Sequence, residues 1–197
     1  MVKEITDYLE SIAPIPQPCV NTIHGMLDID ELAKKELLLR HGQRSDRVYF
    51  IKRGLVRSFY IDDTGAERTG WFMKELDVIT SPRSFFNREP SNEYIETLEP
   101  TIVASISYDQ LESLYDEFPE FNRVGRIINQ RYNVLAVTRA EELRINNQTL
   151  RYQAFVKNNP ELVEKNRVPT RYIASYLGID EDNLYKIKNG NYNNPRR

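Results

Sequence analysis

The sequence has 197 residues, 40% hydrophobic and 28% charged, with a net charge of -2 at pH 7. That balance predicts a folded chain of one to two domains. A single cysteine, Cys19, excludes an intrachain disulfide framework, and no apolar run reaches the ~18 residues of a membrane span.

The first seven residues lack the basic-then-apolar order of a secretory leader, which predicts a cytoplasmic protein. Ile5, Tyr8, Leu9 and Ile12 recur at helical spacing before Pro14, Pro16 and Pro18 end the helix, and a second short helix precedes Met26. From Leu27 to Ser107 the apolar runs become short and β-branched or aromatic, as at 48–51, 55–61 and 102–106. Turn signals at His41-Gly42, Arg53-Gly54, Asp62-Asp63-Thr64-Gly65 and Glu99-Pro100 divide them. This texture predicts an antiparallel sandwich or roll. Helical periodicity returns after Asp109, and Phe121, Val124, Ile128, Tyr132 and Leu135 form a seam on a helix spanning about 119–143. So long a helix predicts a homodimer through that seam; packing against its own roll is the alternative. Another helix follows at about 148–157 and ends at Asn158-Asn159-Pro160.

The small net charge hides an asymmetry. From Arg144 onward there are ten Lys or Arg against five Asp or Glu, so this segment carries +5 and the preceding 143 residues carry -7. A basic end on an acidic body predicts contact with a polyanion, or an unevenly charged solvated face. Within that basic segment, 170–188 has the requirements of a helix-turn-helix. Ile173, Ala174 and Leu177 supply the apolar face of a first helix, with Ala174 small where a second helix crosses closely. Gly178 suits a left-handed helix end, Ile179 the turn, and Asp180 an N-cap. Leu184 and Ile187 then face the core. Thr170, Arg171, Tyr172, Lys186 and Lys188 are candidate phosphate contacts, and Asp182 and Asn183 are placed to meet bases. Asn183 suits adenine and a carboxylate at 182 suits the cytosine amino group.

The order of these parts resembles the Crp/Fnr superfamily of bacterial transcription regulators. The resemblance rests on residues 48–57 (VYFIKRGLVR), on Ile106-Ser107-Tyr108 through Phe118-Pro119-Glu120-Phe121, and on residues 172–179 (YIASYLGI). It implies an α+β protein with an antiparallel, jelly-roll-like cyclic-nucleotide-binding-type sensor over 1–118. A long dimerisation helix follows over 119–145, and a helix-turn-helix DNA-binding domain over 146–197. Double-stranded DNA is the expected partner, with a small-molecule effector at the roll.

Two departures modify what the resemblance implies. Cyclic-nucleotide binders of this fold carry Gly-Glu-Leu and, about ten residues later, Arg-Ser-Ala. With the register anchored on residues 104–107, the Glu position falls at Ser81 and the Arg position at Ser91. Neither offers a cation to a buried phosphate, so cyclic AMP is not the expected effector. Arg83 and Arg88 are candidates for another anion or are exposed loop arginines. Trp71 and Phe85 are candidates for an apolar pocket or belong to the core. The second departure is the acidic start of the recognition helix, Asp180-Glu181-Asp182, which opposes a phosphate field. A binding or interaction module that has lost DNA contact is therefore the competing reading. No phosphate loop, nucleophile elbow or Cys/His pairing is present, and His24 and His41 are isolated. An enzyme, a metal site and a bound cofactor are not expected.

Overall fold

The computed structural model describes residues 2–190. Arg197, counted above among the basic residues, lies outside the described residues, with the rest of 191–197. The chain forms two compact units. One contains the chain up to Tyr60 together with Trp71–Gln130, and the other contains Ile61–Gly70 and the chain from Arg131 onward.

In the first unit, two helices, α1 (Val2–Ile12) and α2 (Gln17–Met26), precede the strands. Strands β1 (Asp28–Leu32), β2 (Leu37–Leu39), β3 (Arg47–Arg53), β4 (Val56–Ile61), β5 (Glu67–Met73) and β6 (Val78–Ile79) lead to the short helix α3 (Pro82–Asn87). Strands β7 (Tyr94–Thr97) and β8 (Thr101–Ser107) complete two four-stranded sheets, ordered β1-β8-β3-β6 and β2-β7-β4-β5. The Phe50↔Ala104 rung points to one face, and the next rung, Ile51↔Val103, to the other. Phe50 and Ala104 join Ile5, Leu9, Cys19 and Ile23 in a core that the helices lay over the first sheet. Ile51 and Val103 are fully buried on the opposite face. The Arg53-Gly54 turn needs its glycine: φ is +110°, and a Cβ there would meet the Thr101 backbone at 2.8 Å.

Helix α4 (Tyr108–Glu117) starts at a capping box in which Ser107 Oγ accepts from Gln110 N and Gln110 Oε1 accepts from Ser107 N. The long helix α5 (Phe121–Leu143) begins in the first unit and ends in the second. Its first turns belong to the core. Phe121 and Val124, expected on a partner-facing seam, are instead buried against α1, α2 and α4 of the same chain, with Phe121 5.6 Å from the Tyr115 ring. Proximity in sequence to a covered sheet decides this, because the roll is the first apolar surface these residues meet. Ile128 and Tyr132 are half-buried, whereas Val134, Leu135 and Val137 are exposed.

The second unit adds α6 (Gln148–Asn158), α7 (Pro160–Val163) and a 3-10 turn at Glu164–Asn166, then α8 (Thr170–Leu177) and α9 (Glu181–Lys188). Among the described residues, no helix is long and apolar enough to cross a membrane.

Candidate nucleic-acid interface and effector site

Helices α8 and α9 join through Gly178, whose φ of 61° is the left-handed conformation that ends α8. Ile179 N donates to Ala174 O at 3.0 Å, closing the turn, and Ile179 is buried. Asp180 caps α9 by accepting from Asp182 N and Asn183 N at 3.0 and 3.3 Å. Ile173, Ala174, Leu177, Leu184 and Ile187 are all buried between the helices and their supports.

The opposite face of α9 presents Glu181, Asp182, Tyr185 and Lys186 to solvent, while Asn183 is half-buried beside it. Tyr185 is 64% exposed, and the sequence reading missed it. Its position four after Glu181, between two core-facing residues, was the available signal. The phosphate candidates fall into two pairs. Lys188 Nζ donates to Thr170 Oγ1 at 3.0 Å, tying the end of α9 to the start of α8. Arg171 Nη2 donates to the Tyr172 hydroxyl at 2.9 Å, with the guanidinium 4.7 Å from that ring. Arg171 is exposed but Tyr172 is 4% exposed, so of this pair it is the arginine that stands at the surface.

Two other arginines hold the unit together, Arg151 of the basic segment and Arg139 just before it. Arg151 donates from Nε and Nη2 to Ile145 O and from Nη1 to Leu177 O, at 2.7–2.9 Å. Arg139 Nη2 donates to Thr69 O and Tyr176 O, both at 3.2 Å, with the guanidinium 3.6 Å from the Tyr176 ring centre. Carbonyl-bound arginines of this kind raise the formal charge of a segment without offering it all to a polyanion.

In the roll, Ser81 and Ser91 are 1% and 3% exposed, and Ser91 Oγ donates to Ser81 Oγ at 3.2 Å. Ser81 Oγ donates to Glu93 Oε1 at 2.7 Å, and Ser91 Oγ also lies 3.0 Å from Glu93 O. A cyclic phosphate there would meet a carboxylate and hydroxyls already engaged, with no cation among these contacts. The residues do not fit a cyclic nucleotide held in the usual register.

Of the four pocket candidates, Phe85 and Arg88 meet at the Tyr108 ring. Arg83 pairs with Glu89 at the surface, at 3.2 Å. Arg88 pairs with Asp46 at 2.5 Å, and its guanidinium lies 4.1 Å from the Tyr108 ring. Phe85 is fully buried, edge-on to Phe86 and Tyr108, so it is core. Trp71 is half-buried on β5.

Comparison with known proteins agrees with this architecture. The sequence profile of the cyclic nucleotide-binding domain matches residues 29–118. The transcriptional activator protein anr of Pseudomonas aeruginosa is 27% identical over 120 residues, covering 57% of this chain and 48% of the relative. The chain thus spans about half the length of the curated relatives it matches. Among solved structures, FixK2 from Bradyrhizobium japonicum superposes with a TM-score of 0.70 at 17% identity over 83% of each chain. The c-di-GMP responsive global regulator CLP of Xanthomonas campestris gives 0.68 at 14% identity, over 89% of this chain and 91% of that one. At such identities the two structures share the fold with this chain.

Proposed function

We propose that this chain is a member of the Crp/Fnr superfamily, a cytoplasmic, non-enzymatic transcription regulator that binds double-stranded DNA as a homodimer. The cyclic nucleotide-binding domain match over residues 29–118 and the 27% identity to the activator anr support this reading. The observation that carries this reading is the α8–Gly178–α9 unit, closed by its left-handed glycine and its Asp180 cap, with a polar face turned outward. A helix held in this way can enter the major groove while the helix before it meets the backbone. Thr170, Arg171 and Lys188 are then the phosphate contacts, and Asp182, Asn183, Tyr185 and Lys186 face the bases. A dimer would read a pseudo-palindrome with half-sites about one helical turn, roughly 34 Å, apart. Val134, Leu135 and Val137 supply the exposed apolar surface for that dimer on α5.

The effector of the roll is not cyclic AMP on this reading, because Ser81 and Ser91 offer a phosphate no cation and are already bonded to each other and to Glu93. Glu181 and Asp182, both exposed on α9, favour a second reading, an interaction module that no longer contacts DNA. Fluorescence anisotropy on the protein's own promoter duplex at 50 mM salt separates the two. Regulation by DNA binding requires micromolar or tighter affinity that falls steeply with salt and weakens on Lys186→Ala. Failure to bind duplex at any salt favours the module.

A further inference from the structure

Strand β5 is the edge of its sheet, so its outer N–H and C=O groups lack a neighbouring strand. Residues 61–70, the tip of the β4–β5 hairpin, belong to the same compact unit as α8 and α9. There the edge is completed by side chains. Ser175 Oγ donates to Glu67 O at 2.8 Å and accepts from Thr69 N at 2.9 Å, so one hydroxyl on α8 stands in for a strand rung. Arg139 Nη2 closes the adjacent Thr69 carbonyl while also holding Tyr176 O. Ser175 lies four residues after Arg171, on the same face of α8. The hairpin held by Ser175 therefore lies along the face that carries the arginine proposed to meet DNA.

We infer that this contact is an autoinhibitory latch, in which the hairpin sets the Glu67 carboxylate against the Arg171 end of α8 and so competes with a DNA phosphate for that arginine. The inference rests on the DNA-binding reading above and names its regulation. Two further observations support it. The Arg171 guanidinium is held in its charged form first by the Tyr172 hydroxyl, and also by the negative fields of Glu67 and Glu181. The hairpin turn is itself well formed, because Asp62 accepts from Thr64 N, Ala66 N and Arg68 Nε, which presents the Glu67–Thr69 backbone to α8 as a preformed edge. The exposed face of α9 is left uncovered by these bonds, so the latch acts through charge on α8 rather than by masking the reading helix. Strands β4 and β5 both continue into the roll unit, which gives a signal there a covalent route to the latch.

The test is duplex binding by the full chain and its variants, read by anisotropy across a salt series. Glu67→Gln and Ser175→Ala should each tighten binding, by about fivefold for one like charge removed from the phosphate field or freed to move away. Ser175→Thr keeps the hydroxyl and should match the wild type. Glu67→Gln should also steepen the slope of log affinity against log salt by about 0.9, the signature of one more phosphate contact. In an Arg171→Ala background that gain should vanish, while Asp63→Asn, a charge removed elsewhere on the hairpin, should change affinity by less than about twofold. A neutral Glu67→Gln, a gain that survives Arg171→Ala, or weaker binding by Ser175→Ala would overturn the latch while leaving DNA binding intact. A silent wild type with binding restored in Ser175→Ala or Glu67→Gln would show the latch fully closed. No binding by any variant would overturn the DNA reading and the latch with it.

Discussion

The roll and the helix-turn-helix unit handle polar groups in opposite ways. Inside the roll, polar side chains are closed on one another. Ser81, Ser91 and Glu93 form one chain of hydrogen bonds, and Arg57, with no exposed surface, donates to Glu96 at 2.5 Å, with Lys35 on the same oxygen at 2.8 Å. In the second unit, Glu181, Asp182, Tyr185 and Lys186 face solvent on one side of a short helix. Buried polar groups that satisfy each other fix a fold and leave little for a ligand. A polar face left outward on a rigid, capped helix is available to a partner. On the proposed reading, recognition falls to the exposed face of α9, whereas Ser81, Ser91 and Glu93 are engaged with one another in the roll.

The largest expected effect comes from breaking a closed pair in the roll. Arg57→Ala leaves Glu96 buried at 6% exposure with Lys35 still paired to it, and removes the guanidinium that lies 4.2 Å from the Phe59 ring. Urea unfolding should show a loss of about 3–5 kcal/mol, the usual cost of orphaning one partner of a buried pair. Replacing both partners by apolar residues, Arg57→Met with Glu96→Leu, should recover much of it. A single substitution costing less than about 1 kcal/mol would mean that the pair is solvated after all.

A second test contrasts the two ends of α5. Phe121 and Val124 are core, whereas Leu135 and Val137 are 47% and 53% exposed. Leu135→Asp with Val137→Asp should halve the mass measured by light scattering and leave the unfolding midpoint of the roll unchanged, since neither residue is buried in its own chain. Val124→Asp should instead unfold the roll, because a charge would be buried without a partner. An unchanged dimer mass in the folded double variant would move the interface elsewhere.

These contrasts also show what can be read from a sequence. Gly178, Asp180, Ala174 and the Leu184/Ile187 spacing are local requirements of one small motif, and each is stated by residue type within a few positions. The strands and the long helix are legible for the same reason, through period and turn chemistry. The hairpin contact is not legible, because Ser175 and Glu67 are 108 residues apart and the bond is to a main-chain carbonyl that any residue would supply. The structural roles of Arg139 and Arg151 were hidden likewise, since their acceptors are carbonyls of Thr69, Tyr176, Ile145 and Leu177. The charge count included Arg151 among the positive charges of the basic segment. The division of the α5 seam into a buried and an exposed half depends on where the roll ends, which the heptad pattern does not record.

A smaller effect should appear at alkaline pH. Cys19 is fully buried, and burial, with Glu120 and Glu117 adding, pushes its thiol up to about 11 from 9.0. A raised folded value means that the contribution to stability is complete below pH 9, where the thiol is neutral in both states. It is lost as the unfolded chain ionises first, between pH 9 and pH 11. Stability followed by denaturant midpoint should therefore decline across that window, and Cys19→Ala should decline less steeply. Alkylation of the folded protein at pH 8 should be slow and should accelerate on unfolding. Parallel pH profiles for the two proteins would show that Cys19 titrates normally.

The smallest expected change is a gain, at the β5–β6 turn. Leu76 has φ of 70° and is 53% exposed, a branched apolar side chain in a left-handed conformation with little burial to compensate. Its backbone is held there by neighbours on both sides. Leu76 N donates to Ile51 O, Ile51 N donates to Asp77 O, and Lys74 N donates to Asp77 Oδ2, each at 2.9–3.0 Å. The strain comes from Cβ and costs roughly 1–2 kcal/mol, whereas a glycine would lose about 0.5–1 kcal/mol more chain entropy on folding. The difference favours Leu76→Gly by about 0.5 kcal/mol, and Leu76→Asn should lie between the two. Leu76→Ala keeps the Cβ and should gain nothing, which separates relief of strain from removal of an exposed apolar side chain. If Leu76→Gly instead weakens the fold while leaving these backbone bonds intact, the exposed leucine is making a contact worth more than its strain, and the turn would become a candidate partner surface on the roll.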